Sequence, residues 1–460
     1  MLTYQDYQTA LSQNTLKEFI KGAIGKHKSS AEYQQALCAD EYNRRLNRTI
    51  IQFQKLLYKV TGEAVPDNFN ANYKLRSNFF NRFITQLNQY LLGNGVTWGK
   101  EDTEAKLGKD FDSELEDAGE KALVHSVSFG FWNLDHLEVF SFLEFVPLFD
   151  EEDGALKAGV RFWQIDPKKP LRATLYELDG YTDYMWNDEN PDGVIVNEKR
   201  AYILKTKSTE ADGTIIYDFE NYPTFPIVPF WGNKYKQSEF VGMQENIDCY
   251  DLIKSGFANT VDDASMIYWT IQNAGGMDDI DLAKFVEHMR TVKASVVDQN
   301  GATAEAHTLD VPYASREALL DRLRADMYED FMALDTKNIA DGAVTATQIE
   351  ASYEPLNGKA DKYEYCVIKF IDGILALAGI DDSPTFTRSK IINRTEEIQT
   401  LIQAGEYLTE DYVAEKVLTI LGDADRVEEL LKGKDLADMQ RMGNIADEER
   451  PDNGMDGQQA

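Results

Sequence analysis

The stretch "NIADGAVTATQIE" (338–350) decides how the chain is read, because it interrupts two long helical patterns with glycine, alanine and threonine. Before it, "YASREALLDRLRADMYEDFMAL" (313–334) sets Leu319, Leu323, Met327, Phe331 and Leu334 in one stripe, with Ser315 at an N-cap position. After it, "DKYEYCVIKFIDGILALAG" (361–379) sets Tyr363, Val367, Phe370, Ile371, Ile374 and Leu375 on one face and stops at Gly379. A slim connection between two such helices matches no catalytic motif, so its smallness needs another explanation.

Working outward, the spacing of Tyr250, Ile253, Phe257 and Val261 predicts a helix over 238–264. Residues 265–312 then read as a small α+β insertion. It holds the β-branched and aromatic run "SMIYWTIQ" (265–272), a short helix over 279–290 and a hairpin turning at Asn300 and Gly301. Further upstream, 131–231 has strand periodicity, with acidic turns at 150–154 and at Asp212–Gly213. The acidic cluster at 150–153 is better explained as a hairpin tip than as a metal site. Residues 1–60, 72–92 and 112–130 read as helices, the second ending at Gly93 and Gly95 and the third at Gly130. Short capped helices follow over 387–434, and 435–460 lose all periodicity and read as an acidic, disordered tail. The expectation is an α+β chain, mostly helical.

Charge narrows the function. With 79 acidic and 47 basic side chains the net is −32, which argues against sequence-specific DNA binding through a basic face. The three cysteines are far apart and the five histidines show no HExxH pair, so no metal site and no cofactor are expected. No GxxxxGK[ST] is present, and "GNGVTWG" (93–99) follows a helix instead of a strand, so nucleotide chemistry has little support. No run of about 18 apolar residues and no hydrophobic leader is present, which predicts neither a membrane span nor a secretory signal. Carboxylates are abundant enough to pair as in an acidic carbohydrate-active enzyme, but abundance is not pairing.

Three segments carry a family likeness: "NYKLRSNFFNRFITQLNQYLLGNGVTW" (72–98), "FWGNKYKQSEFVGMQENIDCYDLIKSGFANTVDD" (230–263) and "SKIINRTEEIQTLIQAGEYLTEDYVAEKVLTILGDADRVEELL" (389–431). In their order and spacing they make the chain resemble the bacteriophage portal proteins of the SPP1 portal-like family. The resemblance implies a portal fold assembled as a ring, typically of twelve copies. Residues 1–237 would be the wing, 238–264 and 313–334 the stem helices, and 265–312 the clip. Residues 335–347 would be the tunnel loop, 348–386 the long helix behind it and 387–434 the crown.

It further implies a non-enzymatic conduit for double-stranded DNA at the capsid vertex of the virion, assembled in the host cytoplasm. Its partners would be large terminase, a head–tail adaptor and capsid or scaffold proteins, with no membrane. The DNA-facing residues would be Lys337, Asn338, Asp341, Gly342, Ala343, Thr345 and Thr347; Asp278, Asp279, Glu287 and Arg290 would meet partners at the clip. On this reading the loop is slim so that it neither clogs nor grips a moving duplex, and the acidic wall repels phosphate over about 8 Å at physiological salt. The alternative is another capsid-vertex or scaffolding protein that assembles without touching DNA.

Overall fold

The structure is a computed structural model and describes residues 2–58, 62–68, 70–209, 215–264, 268–272, 303–307, 313–337, 346–389, 398, 401–405, 407 and 409–421. The chain divides into two compact units, Met1–Asp335 with Glu354–Ser389, and Thr336–Tyr353 with Lys390–Ala460.

The first unit begins with α1 (Tyr4–Ser12), α2 (Leu16–Ser29), α3 (Ala31–Asn43) and α4 (Arg48–Gln52). Thr3 and Asp6 form a reciprocal capping box that starts α1, and Ser30 caps α3 through the Tyr33 amide. The small pair β1 (Leu56–Tyr58) and β2 (Ala64–Pro66) follows, then an extended run to α5 (Phe79–Leu92). β3 (Val96–Trp98), α6 (Thr103–Leu107) and α7 (Phe111–His125) complete this helical part.

Next come β4 (Val127–Asn133), β5 (His136–Ser141), β6 (Phe145–Phe149), β7 (Leu156–Trp163), β8 (Leu171–Glu177), β9 (Gly180–Trp186) and β10 (Val194–Arg200). Strands β10 to β6 form a five-stranded antiparallel meander. β9 alternates buried and half-buried residues along its whole length, the period-2 signature of a covered face. α1 and α2 supply that cover: Tyr7, Ile20, Ala23 and Ile24 pack with Val146, Leu148, Val160, Leu175 and Trp186. At the hairpin tip, Asp150 accepts from the Glu152 amide and pairs with Lys157 at 2.7 Å, which pulls its carboxyl down to about 2. The acidic cluster there is therefore a self-satisfied turn.

The strand content is higher than a mostly helical chain would have, since helices make up about half of the described residues. The main difference falls at 126–133. α7 stops at His125, Ser126 adopts φ 79°, and the following residues form the strand β4, buried from Val127 to Trp132, in place of the helix end at Gly130. Phe129, Phe131 and Trp132 pack well on a pleated sheet, and that packing outweighs the helical continuation. β4 is the centre of a three-stranded sheet with β5 and β13 (Ile227–Trp231); β11 (Ile203–Thr209) and β12 (Ile215–Glu220) make a separate hairpin.

The remaining elements are α8 (Gln244–Ala264), β14 (Tyr268–Gln272), β15 (Thr303–His307), α9 (Tyr313–Phe331), α10 (Ala346–Ala378), β16 (Pro384–Phe386) and, in the second unit, α11 (Glu410–Leu421). α8 begins at Gln244; residues 238–243 form turns anchored by the buried Ser238, whose hydroxyl donates to Val124 O at 2.6 Å. Ser315 lies inside α9, not at its cap. The stretch of α10 from Glu354 onward packs directly on β4 and β13. A Cβ at Gly130 would sit 2.4 Å from the Phe370 ring, and one at Gly373 2.7 Å from Val228, so both positions need glycine for the close approach. Gly379 closes the helix with φ 68°.

Candidate functional site

The part of the fold that bears on function is the helix pair α8 and α9 and the chain that leaves it. The two helices run antiparallel: Arg316 Nη1 donates to Thr260 Oγ1 at 2.9 Å near one end, and Asn246 Nδ2 reaches Asp330 at 3.4 Å near the other. Phe257 and Tyr313 meet edge to face at 5.4 Å. Between the helices in sequence, β14 and β15 pair in register from Tyr268 opposite His307 to Gln272 opposite Thr303. The strand at 303–307, expected as one arm of a hairpin turning at Asn300 and Gly301, thus pairs with 268–272.

α8 is fixed by polar groups. Asp251, Ser255 and Asn259 lie four residues apart on one face, and all three are buried. They accept from alternate amides of the extended run beside them: Ser77 N to Asp251 Oδ1 at 2.9 Å, Leu75 N to Ser255 Oγ at 2.9 Å and Tyr73 N to Asn259 Oδ1 at 2.8 Å. The match is geometric. Four helical residues rise about 6.0 Å, and two extended residues span about 6.6 Å, so the two periods nearly coincide over the two steps that separate three contacts. Asn47 also donates to Asp251. Burial nevertheless holds the Asp251 carboxyl above its ordinary range, against the pull of those donors. One turn earlier, Asp248 accepts from Tyr42 and from Thr49 Oγ1. The partner of this face is an irregular segment about 180 residues away in sequence, a distance that no local pattern encodes.

The end of α9 is locked equally firmly. Met332 takes φ 62° and Ala333 N bonds back to Tyr328 O at 2.9 Å, closing the helix without a glycine. Gln86 then reads both sides of Leu334, donating to its carbonyl at 3.0 Å and accepting from its amide at 2.9 Å. Arg324 pairs with Asp335 at 2.7 Å. Lys359 donates to Phe331 O at 3.0 Å, pairs with Glu239 at 2.6 Å and stacks on the Phe331 ring. The chain therefore leaves α9 from a fixed position.

Of the residues proposed to face DNA, Lys337 is exposed just beyond this anchor, and Thr347 is exposed in the first turn of α10. Asn338, Asp341, Gly342, Ala343 and Thr345 lie outside the described residues, as do Asp278, Asp279, Glu287 and Arg290 of the insertion. On the pair itself, two of the three α9 arginines are committed inward, Arg316 to Thr260 and Arg324 to Asp335, while Glu317, Asp321, Glu329 and Asp330 are exposed. The outer face of α9 is thus more acidic than its composition. Among the described residues no group of three or more His, Cys, Asp or Glu could hold a metal ion, and no helix is long and apolar enough to cross a membrane.

The family profile described as "Phage portal protein, SPP1 Gp6-like" matches residues 26–440, and the chain belongs to that family. It is 28% identical over 188 residues to the portal protein of Clostridium phage phiCD119, covering 38% of this chain and 41% of that protein. It is 22% identical over 451 residues to the portal protein of Bacillus phage SPP1, covering 88% and 84%. The match to the first relative thus spans about two fifths of that protein's length. Among solved structures, the chain is similar to a subunit in the neck of an empty GTA particle computed with C6 symmetry (11% identity, TM-score 0.43, 75% of this chain and 90% of that one). It is also similar to one in the virion of a native gene transfer agent particle (12% identity, TM-score 0.42, 74% and 89%).

Proposed function

We propose that the chain assembles into a closed ring, typically of twelve copies, and serves as the DNA conduit of a phage capsid vertex. The observation that carries this is the family match over residues 26–440, a range that includes α8, α9 and the chain between and after them. In this reading duplex DNA passes during packaging, retention and ejection, and ATP hydrolysis belongs to a separate terminase. The clip, residues 265–312, meets terminase and later the head–tail adaptor, and 435–460 form an acidic tail of unassigned role. The site of action is the virion, after assembly in the host cytoplasm.

The geometry supports a division of labour. Gln86 holds Leu334, Arg324 holds Asp335 and Lys359 holds the Phe331 carbonyl, so the chain enters the 335–347 loop from a fixed point. In this reading Lys337, which is exposed, makes the transient phosphate contact, and the exposed acids of α9 keep the wall weakly adhesive. Deleting 338–345 tests the assignment. A conduit should still assemble but lose packaging, whereas normal packaging by the deletion would refute a DNA-facing role for the loop.

A further inference from the structure

A groove of about 590 Å³ is bounded by β13, the end of the β6–β7 hairpin and residues 365–370 of α10. On one face of β13 Trp231 stacks on Phe149, and on the other Phe230 stacks on Phe370. Residues from both faces line the groove, so it lies along the edge of the strand. That edge is open: β13 ends its sheet and pairs only with β4 among the described residues. Trp132 N donates to Pro226 O and Gly232 N to Ser126 O, so residues 226, 228, 230 and 232 turn their backbone groups toward β4. Ile227, Pro229 and Trp231 turn theirs outward. Pro229 has no N–H, so the edge offers two donors and three carbonyls. The hairpin wall is apolar, through Phe149 and Leu156. The helix wall is basic: Lys369 lies one turn beyond Tyr365, whose ring carries Lys234 at 5.1 Å. Lys236 stacks on Trp231 at 4.6 Å. No carboxylate lines the groove, in a chain where acids outnumber bases by 79 to 47. Asp150 and Asp153 of the hairpin tip are held by Lys157, and Glu364 of α10 by Arg388. Lys234, Lys236 and Lys369 form no ion pair among the described residues.

An open strand edge between an apolar and a basic wall fits an added strand, because successive side chains of such a strand point to opposite walls. We infer that the groove binds an extended acidic segment of a partner protein. About five residues of it would lie along the five of β13, with carboxylates toward Lys234 and Lys369 and apolar side chains toward Phe149 and Trp231. The ligand must bring donors as well as negative charge, since the carbonyls of Ile227, Pro229 and Trp231 only accept. A peptide backbone brings them, whereas a phosphodiester offers acceptors alone. The same edge of a second copy is a poor occupant: it would set lysines against lysines, and its own Pro229 lacks the donor that the edge requires. The inference stands whether or not copies of the chain close into a ring.

The test is fluorescence anisotropy of the full chain with a fluorescein-labelled peptide of alternating glutamate and valine. Two further versions carry N-methyl groups on every valine or on every glutamate, which blocks the backbone donors of one edge of the strand at a time. The unmodified peptide should bind, and one methylated version should lose at least tenfold in affinity while the other keeps it. Any other outcome of the methylated pair overturns the inference, because attraction of charge alone does not distinguish the two edges. Lys234→Glu with Lys369→Glu should weaken binding at least tenfold, with thermal melts and mass by light scattering unchanged, and Lys234→Arg with Lys369→Arg should keep it. If the reversal lowers the melt, Lys369→Gln at an exposed side chain replaces it and should still weaken binding severalfold. A reversal that binds the peptide as wild type does overturns the inference. So does one that changes the mass, which would assign the groove to a contact between copies. Duplex DNA bound through these lysines in place of the peptide would assign it to phosphate, and overturn the inference as well.

Discussion

Two helices of this chain carry the same signal in sequence and meet different fates. α10 sets Tyr363, Val367, Phe370, Ile371, Ile374 and Leu375 on one face, and each is at most 3% exposed. α8 sets Tyr250, Ile253, Phe257 and Val261 on one face, yet these are half-buried or exposed, Val261 by 40%; the fully buried face is the polar one, Asp251, Ser255 and Asn259. An apolar stripe reports what a helix can bury, and not whether its own chain does the burying. α10 finds a sheet with glycines cut to fit it. α8 is positioned by directional hydrogen bonds, which fix its register, while its apolar side is covered only in part, by Phe79 on Tyr250 and Tyr313 on Phe257.

Removing packing from α10 should have the largest effect. Phe370→Ala deletes a ring stacked on Phe230 at 4.7 Å and should cost about 3–5 kcal/mol in urea unfolding. Asp251→Ala should come next, at about 2–3 kcal/mol, because it strands the Ser77 amide and the Asn47 donor in a buried place. If it costs under about 0.5 kcal/mol, the ladder is decoration and the comparison fails.

The pH dependence sharpens the same point. A buried carboxyl with a raised folded-state value binds its proton more tightly when folded, so its stabilising contribution is present in acid and is lost as pH rises through that value. Relative to Asp251→Asn, which does not titrate, wild type should therefore lose stability on going from pH 4 to pH 7. Paired melts at the two values read this directly, and a constant difference would contradict it.

Smaller effects separate the anchor from the face. Gln86→Ala removes both bonds to Leu334 and should cost about 1–2 kcal/mol, while increasing amide exchange at 334–335. Val261→Ser should stay within about 0.5 kcal/mol in the isolated chain, but weaken assembly if the exposed stripe of α8 is covered there.

Much of this was legible from sequence. The strand periodicity of 131–231, the Gly93 and Gly379 stops and the existence of helices on both sides of the 338–350 segment follow from local rules; the helix before it ends at Phe331 and the one after it begins at Ala346. The start of α8 was misplaced because Ser238 looks like a helix cap, whereas its hydroxyl serves Val124 across the chain. β4 was hidden because "SVSFG" continues a helical pattern until a positive φ at Ser126 ends it. The ladder on α8 and the clamp of Gln86 on Leu334 were not legible at all: each joins residues more than 170 positions apart, and no local period encodes a partner at that distance.

The most direct measurement is the mass of the purified chain by light scattering, with electron micrographs of the same peak. The account predicts closed rings with a central channel and a mass near twelve times the 52.2 kDa chain. A 52.2 kDa monomer at both low and moderate salt would contradict it.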